Sequence, residues 1–133
     1  MIVILHNIRS VQNVASIFRT ADGVGVERIY LCGITPGPVD KLGHSRAQFV
    51  KVSLGSEKNV PYEKKSSTLK LINELKKDGY QILAVEQARN SIPHYKFKIR
   101  SKKIALILGS EVKGLSDAIL KKSDKILEIP MEG

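Results

Sequence analysis

The sequence predicts one α/β domain, residues 1–133, built on a mainly parallel sheet with helices on both faces. Three observations carry this expectation. Apolar runs of four or five residues recur along the chain, a length typical of strands buried on both faces. Stretches with helical spacing alternate with those runs, as parallel pairing requires. The clearest run, Ile104-Ala105-Leu106-Ile107-Leu108, enters a turn bounded by Gly109 and Gly114. Ligands in open α/β sheets bind outside the carboxyl ends of strands, so that turn marks the edge where a site is expected.

In order, Ile2 to Leu5 reads as a first strand and His6 to Arg9 as the loop at its carboxyl end. Ser10 is a natural N-cap for a helix running to about Val24, with Val11, Val14, Phe18 and Ala21 on one stripe and Ile17 beside it. Gly25 suits the left-handed position that ends a helix. Arg28 to Cys32 is a second strand. A long turn-rich segment follows, from Gly33 to about Tyr62. Ser66 or Ser67 caps a helix through Asp78, with Leu69, Ile72 and Leu75 inward, and Gly79 stops it. Gln81 to Val85 is another strand, with a loop from Glu86 to Pro93. Lys96 to Lys103 reads as a charged, solvated edge leading into the central strand. Ser116 caps a short helix to about Lys122, and Ile126 to Ile129 is a last strand before Pro130.

The chain carries 22 basic against 13 acidic residues, a net charge of +9. Such a field draws polyanions, nucleic acid first and an anionic membrane second; a lysine-rich solvated surface gives the same number. Cys32 is the single cysteine, and His6, His44 and His94 lack metal-ligand spacing, so neither a disulfide framework nor a metal site is expected. The apolar runs are far short of the roughly twenty residues a membrane span needs, and an intracellular, cytoplasmic location is the expectation.

Asn13 and Arg19 lie six residues apart on the first helix, hence about 120° apart around it. The loops after the first, central and last strands would bring Asn13, Arg19 and Glu111 toward one edge. The Gly33–Tyr62 segment adds Lys41, His44, Arg46, Lys51 and Lys58, with Phe49 and Tyr62 among them. Cations and aromatics on a loop suit phosphate contact and base stacking, with a solvated loop as the alternative. A nucleoside-triphosphate loop is excluded, because Leu115 stands where its lysine is required. Gly23 and Gly25 end a helix rather than follow a strand, which excludes a dinucleotide fingerprint, and no G-x-S-x-G elbow is present.

Three segments together resemble the SpoU branch of the SPOUT RNA methyltransferases. Asn13 to Gly25, NVASIFRTADGVG, resembles that family's first motif, N-x-x-x-I-x-R-T followed by a glycine. Leu106 to Leu115, LILGSEVKGL, is similar to the second motif, and Ile129 to Gly133, IPMEG, to the opening of the third. Lys51 to Lys58, KVSLGSEK, is also family-like. Order and spacing agree over essentially the whole chain.

The resemblance implies S-adenosylmethionine as methyl donor without a metal, a ribose 2′-hydroxyl of tRNA or rRNA as acceptor, a homodimer and a trefoil knot. By motif, Asn13, Arg19 and Glu111 match active-site positions, and the resemblance casts Arg19 as activating the hydroxyl. Because Arg stays protonated, the expectation is that Arg19 stabilises the developing alkoxide, Glu111 orients Arg19 and Asn13 fixes local geometry by hydrogen bonds. Leu108, Gly109, Ile129 and Met131 match the wall around the cofactor's adenosine. Arg9, His44, Arg46 and Lys51 are the candidate RNA contacts. The family's third motif continues past its glycine with a Ser-x-Asn stretch and a final helix, whereas this sequence stops at Gly133; a fragment or a shortened chain is expected, its knot incomplete. The alternative function is a non-catalytic RNA-binding module of the same fold, and a weaker one is a small-molecule nucleotide binder.

Overall fold

The computed structural model describes residues 1–132. They form seven parallel strands: β1 (Ile2–His6), β2 (Arg28–Cys32), β3 (Tyr62–Lys65), β4 (Gln81–Val85), β5 (Ile92–Pro93), β6 (Ile104–Gly109) and β7 (Lys125–Glu128). Four α-helices connect them: α1 (Val11–Val24), α2 (Ala47–Ser53), α3 (Thr68–Lys77) and α4 (Asp117–Lys122). The sheet order is β3-β2-β1-β6-β4-β7-β5, so β1 and β6 are inner strands and one strand, β4, separates β6 from β7.

Alternation along β1 distributes its side chains to two cores. Ile2 and Ile4 pack with Leu71, Ile72 and Leu75 of α3 and Ile119 of α4. Val3 and Leu5 pack with Val14 and Phe18 of α1 and Phe49 of α2. All four β1 residues are buried, each contributing on the order of 1.5–3 kcal/mol of burial free energy. A third cluster, Leu83, Ile104 and Leu127, faces the same side as α1 and is flanked by Ile92 and Phe97 rather than by a helix.

The caps behave as their residue types require. Ser10 Oγ accepts the Asn13 backbone N–H at 3.1 Å, and Gly25 ends α1 at φ +76°. Ser67, not Ser66, caps α3 through Lys70 N–H at 3.2 Å, and Ser116 caps α4. On α3 the buried face is Thr68, Leu71, Ile72 and Leu75, with Leu69 only partly buried.

The segment from Gly33 to Tyr62 corrects the sequence expectation most. It contains α2 and a 3-10 turn at Ser56–Lys58. Phe49 is fully buried, 5.2 Å edge-on from Phe18, and Tyr62 also packs edge-on against Phe18 at 5.6 Å. Neither ring is free to stack on a base as a loop aromatic would be. β3, Tyr62-Glu63-Lys64-Lys65, escapes a hydrophobic pattern because it is a charged edge strand. β5 is likewise an edge, where its proline costs no ladder bond. β7 begins and ends one residue earlier than the apolar run predicts, leaving Ile129 outside it. No helix among the described residues is long and apolar enough to cross a membrane.

Candidate functional site

Parallel pairing brings the carboxyl ends of the central strands level. His6 stands opposite Gly109 on one side and Cys32 on the other, and Leu5 stands opposite Leu108. The turn after β6 closes on itself, with Gly114 N–H donating to Ser110 O at 2.9 Å. Backbone passes so close here that a Cβ at Gly109 would meet Gly114 C and O at 2.8 and 2.9 Å. Gly114 itself has φ +63°, a conformation that disfavours any side chain.

Glu86, just past β4, holds this turn from outside. Its Oε2 accepts the Leu115 N–H at 2.8 Å and its Oε1 the Gln87 N–H at 3.1 Å. A Cβ on Gly114 would collide with Glu86 Oε2. The sequence places Glu86 only as the first residue of a loop; no local motif points to it, because the turn amide it holds, Leu115 N–H, is 29 residues away. Thr35 is a second such residue. Fully buried, its Oγ1 accepts the Ile8 N–H and lies 3.0 Å from Leu5 O and 2.8 Å from Cys32 O, tying the ends of β1 and β2 together.

Asn13 and Glu111 meet. Asn13 Nδ2 donates to Glu111 Oε1 at 2.9 Å, and Glu111's carboxyl sits below its ordinary range, first because of that bond and next through its own backbone N–H. Together with Leu108, Gly109 and Ile17 they border a cleft of about 290 Å³. Arg19 is not part of it. It is exposed, and among the described residues no ion pair joins it to Glu111. Six residues of helix carry it about 9 Å along α1 and about 120° around it from Asn13, so a carboxylate seated on Asn13 does not also reach the guanidinium. The expected orienting pair is replaced by an Asn13–Glu111 pair.

Ile129 and Met131 are likewise not brought to Leu108 and Gly109. They are 57% and 72% exposed and line none of the three clefts around the turn. β4 stands between β6 and β7, and the loop that begins with Glu86 occupies the intervening edge. Arg9, His44 and Lys51 are exposed and Arg46 is half-buried. Arg46 precedes α2, and its Nε is buried without a hydrogen-bond partner; His44 Nδ1 lies 3.9 Å from Asp40 Oδ2.

Two further clefts flank the turn. One, about 360 Å³, lies at the end of β1 and includes His6, Asn7, Arg9 and Lys113. The other, about 490 Å³, includes Glu86, Glu111, Asp117, Arg89 and Leu120. His6 Nδ1 is 2.6 Å from Thr68 Oγ1, its Nε2 is 3.3 Å from Asn7 Nδ2, and burial pushes its pKa down. Burial raises the Cys32 thiol, which also hydrogen-bonds Thr68; a protonated, enclosed thiol is a poor nucleophile.

Residues 1–133 match the model of the SpoU rRNA methylase family. A Staphylococcus haemolyticus protein assigned to the TrmH family of tRNA/rRNA methyltransferases is 30% identical over 132 residues, which is 99% of this chain and 50% of that protein. The A. aeolicus TrmH/SpoU tRNA modifying enzyme superposes with a TM-score of 0.82 at 30% identity, over 99% of this chain and 63% of its own. The AdoMet-bound rRNA methyltransferase of Sinorhizobium meliloti gives a TM-score of 0.87 at 27% identity, over 99% and 48%. The chain spans about half the length of the curated relatives it matches. Sequence motifs, sheet order and superposition agree: this chain belongs to the SpoU rRNA methylase family.

Proposed function

We propose that this chain forms the methyl-transfer core of an RNA methyltransferase that uses S-adenosylmethionine and modifies a ribose 2′-hydroxyl of tRNA or rRNA. The observation that carries the reading is the Asn13–Glu111 hydrogen bond, which locks α1 to the turn after β6 beside Leu108 and Gly109. Chemically, the clefts suit the donor. Leu108, Leu115 and Leu120 offer apolar surface, close backbone approach at Gly109 leaves main-chain groups at the surface, and Glu86, Glu111 and Asp117 favour a cation. S-adenosylmethionine, when bound, supplies an electrophilic methyl group on a sulfonium.

The chain's own residues then divide the remaining work. Leu108 and Gly109 form the adenosine wall, to which Ile129 and Met131 come only if the segment after β7 crosses the end of β4. Arg19 remains protonated and stabilises negative charge on the attacking ribose oxygen, with an RNA phosphate as the proton's destination. Glu111, ionised and fixed by Asn13, shapes the turn rather than orienting Arg19. Arg9, His44, Arg46 and Lys51 contact RNA, and the working unit is a homodimer without a metal in its chemistry.

Calorimetric titration with S-adenosylmethionine tests the reading, on the chain alone and with a carboxyl-terminal extension that supplies the family's Ser-x-Asn stretch and final helix. Binding in at least one form, with 2′-O-methylnucleoside recovered from treated RNA, supports it; no heat in either form sinks it. The exposure of Ile129 and Met131 favours a second reading, a non-catalytic RNA-binding module, for which RNA affinity without cofactor heat in either form is the expected signature.

A further inference from the structure

We propose that the cavity at the carboxyl end of β1 is a subsite for one phosphodiester-linked nucleotide of the RNA, with Arg9 and Lys113 on its phosphate. This rests on the reading above that the protein acts on RNA. The cavity holds about 360 Å³, and its charged lining residues are Arg9 and Lys113, with no carboxylate. On the far side of the same turn, Glu86, Glu111 and Asp117 border the neighbouring cleft alongside Arg89 and Lys113. Glu111 is drawn onto Asn13 and the Arg9 and Ser10 backbone amides, so its carboxylate is already engaged and does not line the cavity. A five-residue turn thus separates an anion-accepting cavity from a cleft with three carboxylates.

The cavity's floor is polar and held in place. Asn7 receives the Ile34 N–H on Oδ1 at 3.1 Å and approaches His6 through Nδ2, while His6 leans on Thr68. With its pKa lowered by burial, His6 is neutral near pH 7 and offers hydrogen bonding without charge. Ser110 and Ser116 add hydroxyls at the rim. A guanidinium fork and a mobile ammonium match a phosphate, and proteins read single-stranded RNA by taking unstacked nucleotides into polar pockets of this kind. The net charge of +9 supplies steering, but only this cavity among the three beside the turn lacks an acidic residue.

The test is RNA binding by the 133-residue chain, followed by fluorescence anisotropy with a single-stranded oligoribonucleotide over a salt series. Arg9→Ala/Lys113→Ala is compared with Lys77→Ala/Lys102→Ala, which removes the same charge at exposed positions at the end of α3 and just before β6. The cavity pair should weaken binding roughly tenfold and lower the salt slope by about 0.7, one single-strand phosphate; Arg9→Lys/Lys113→Arg should restore the slope. Equal losses in both pairs, or an unchanged slope, overturn the subsite while leaving RNA binding intact. Tight binding of a nucleoside 5′-monophosphate that the cavity pair abolishes, with oligonucleotide binding unaffected, also overturns it. No RNA binding by the unmodified chain defeats the subsite and the RNA reading together, whereas loss of cofactor heat alone touches only the methyl-transfer reading.

Discussion

Asn13 and Glu111, 98 residues apart in sequence, are joined by a 2.9 Å hydrogen bond between the first helix and the turn after the central strand. That bond is the first cause of Glu111's depressed pKa. Asn13→Ala should therefore raise the Glu111 pKa toward the ordinary value of about 4.3, as followed by side-chain carboxyl NMR chemical shifts against pH. The sign for stability follows from the depressed folded pKa. The contribution is present above the unfolded value and lost as pH falls through the folded one. Glu111 is exposed, so the gain is a few tenths of a kcal/mol at most. An unmoved Glu111 titration in the variant would mean the bond is not formed in solution.

Gly114→Ala should destabilise the chain by about 2–3 kcal/mol. The residue would occupy a left-handed conformation costing roughly 1–2 kcal/mol, and its Cβ would displace Glu86 from the Leu115 N–H. Thermal or urea unfolding measures the loss. Glu86→Ala should remove the same amide partner without the backbone strain, giving a smaller drop of about 1 kcal/mol.

Phe49→Ala should cost about 3–5 kcal/mol, as for other fully buried aromatics, because Phe49 is the residue by which α2 reaches Phe18. Hydrogen exchange should show faster exchange in Val50 to Leu54 amides than in β6. A loss under 1 kcal/mol would place α2 off the core.

His6 makes acid stability depend on pH in a defined window. Burial lowers its folded pKa, so its contribution is complete above the unfolded value of about 6.5 and declines as pH falls toward and through the folded value. Urea midpoints should drop between pH 7 and pH 5, and His6→Gln should flatten that part of the profile. An equally steep profile in the variant would assign the effect to another group.

Much of the fold was legible because burial pattern and capping chemistry are local. Ser10 and Gly25 bracket α1, and Gln81 to Val85 and Ile104 to Leu108 announce strands by unbroken apolar runs. α2, β3 and β5 were not, since Arg46 caps weakly, β3 is charged and β5 is two residues long. Of the candidate site, the sequence motifs named Asn13, Arg19 and Glu111 but paired Glu111 with Arg19, whereas in the structure Glu111 meets Asn13.

The sequence alone determined a basic α/β chain of the SpoU type, with its apolar runs, helix caps and glycine-bounded turn, because each depends on residues close together in the chain. Tertiary structure decided what depends on sheet order and register. Pairing β1 with β6 seats Glu111 on Asn13 rather than Arg19. Placing β4 between β6 and β7 sets Ile129 and Met131 apart from Leu108 and delivers Glu86 to the turn. Those contacts join residues 29 to 98 positions apart, a distance over which no local preference acts.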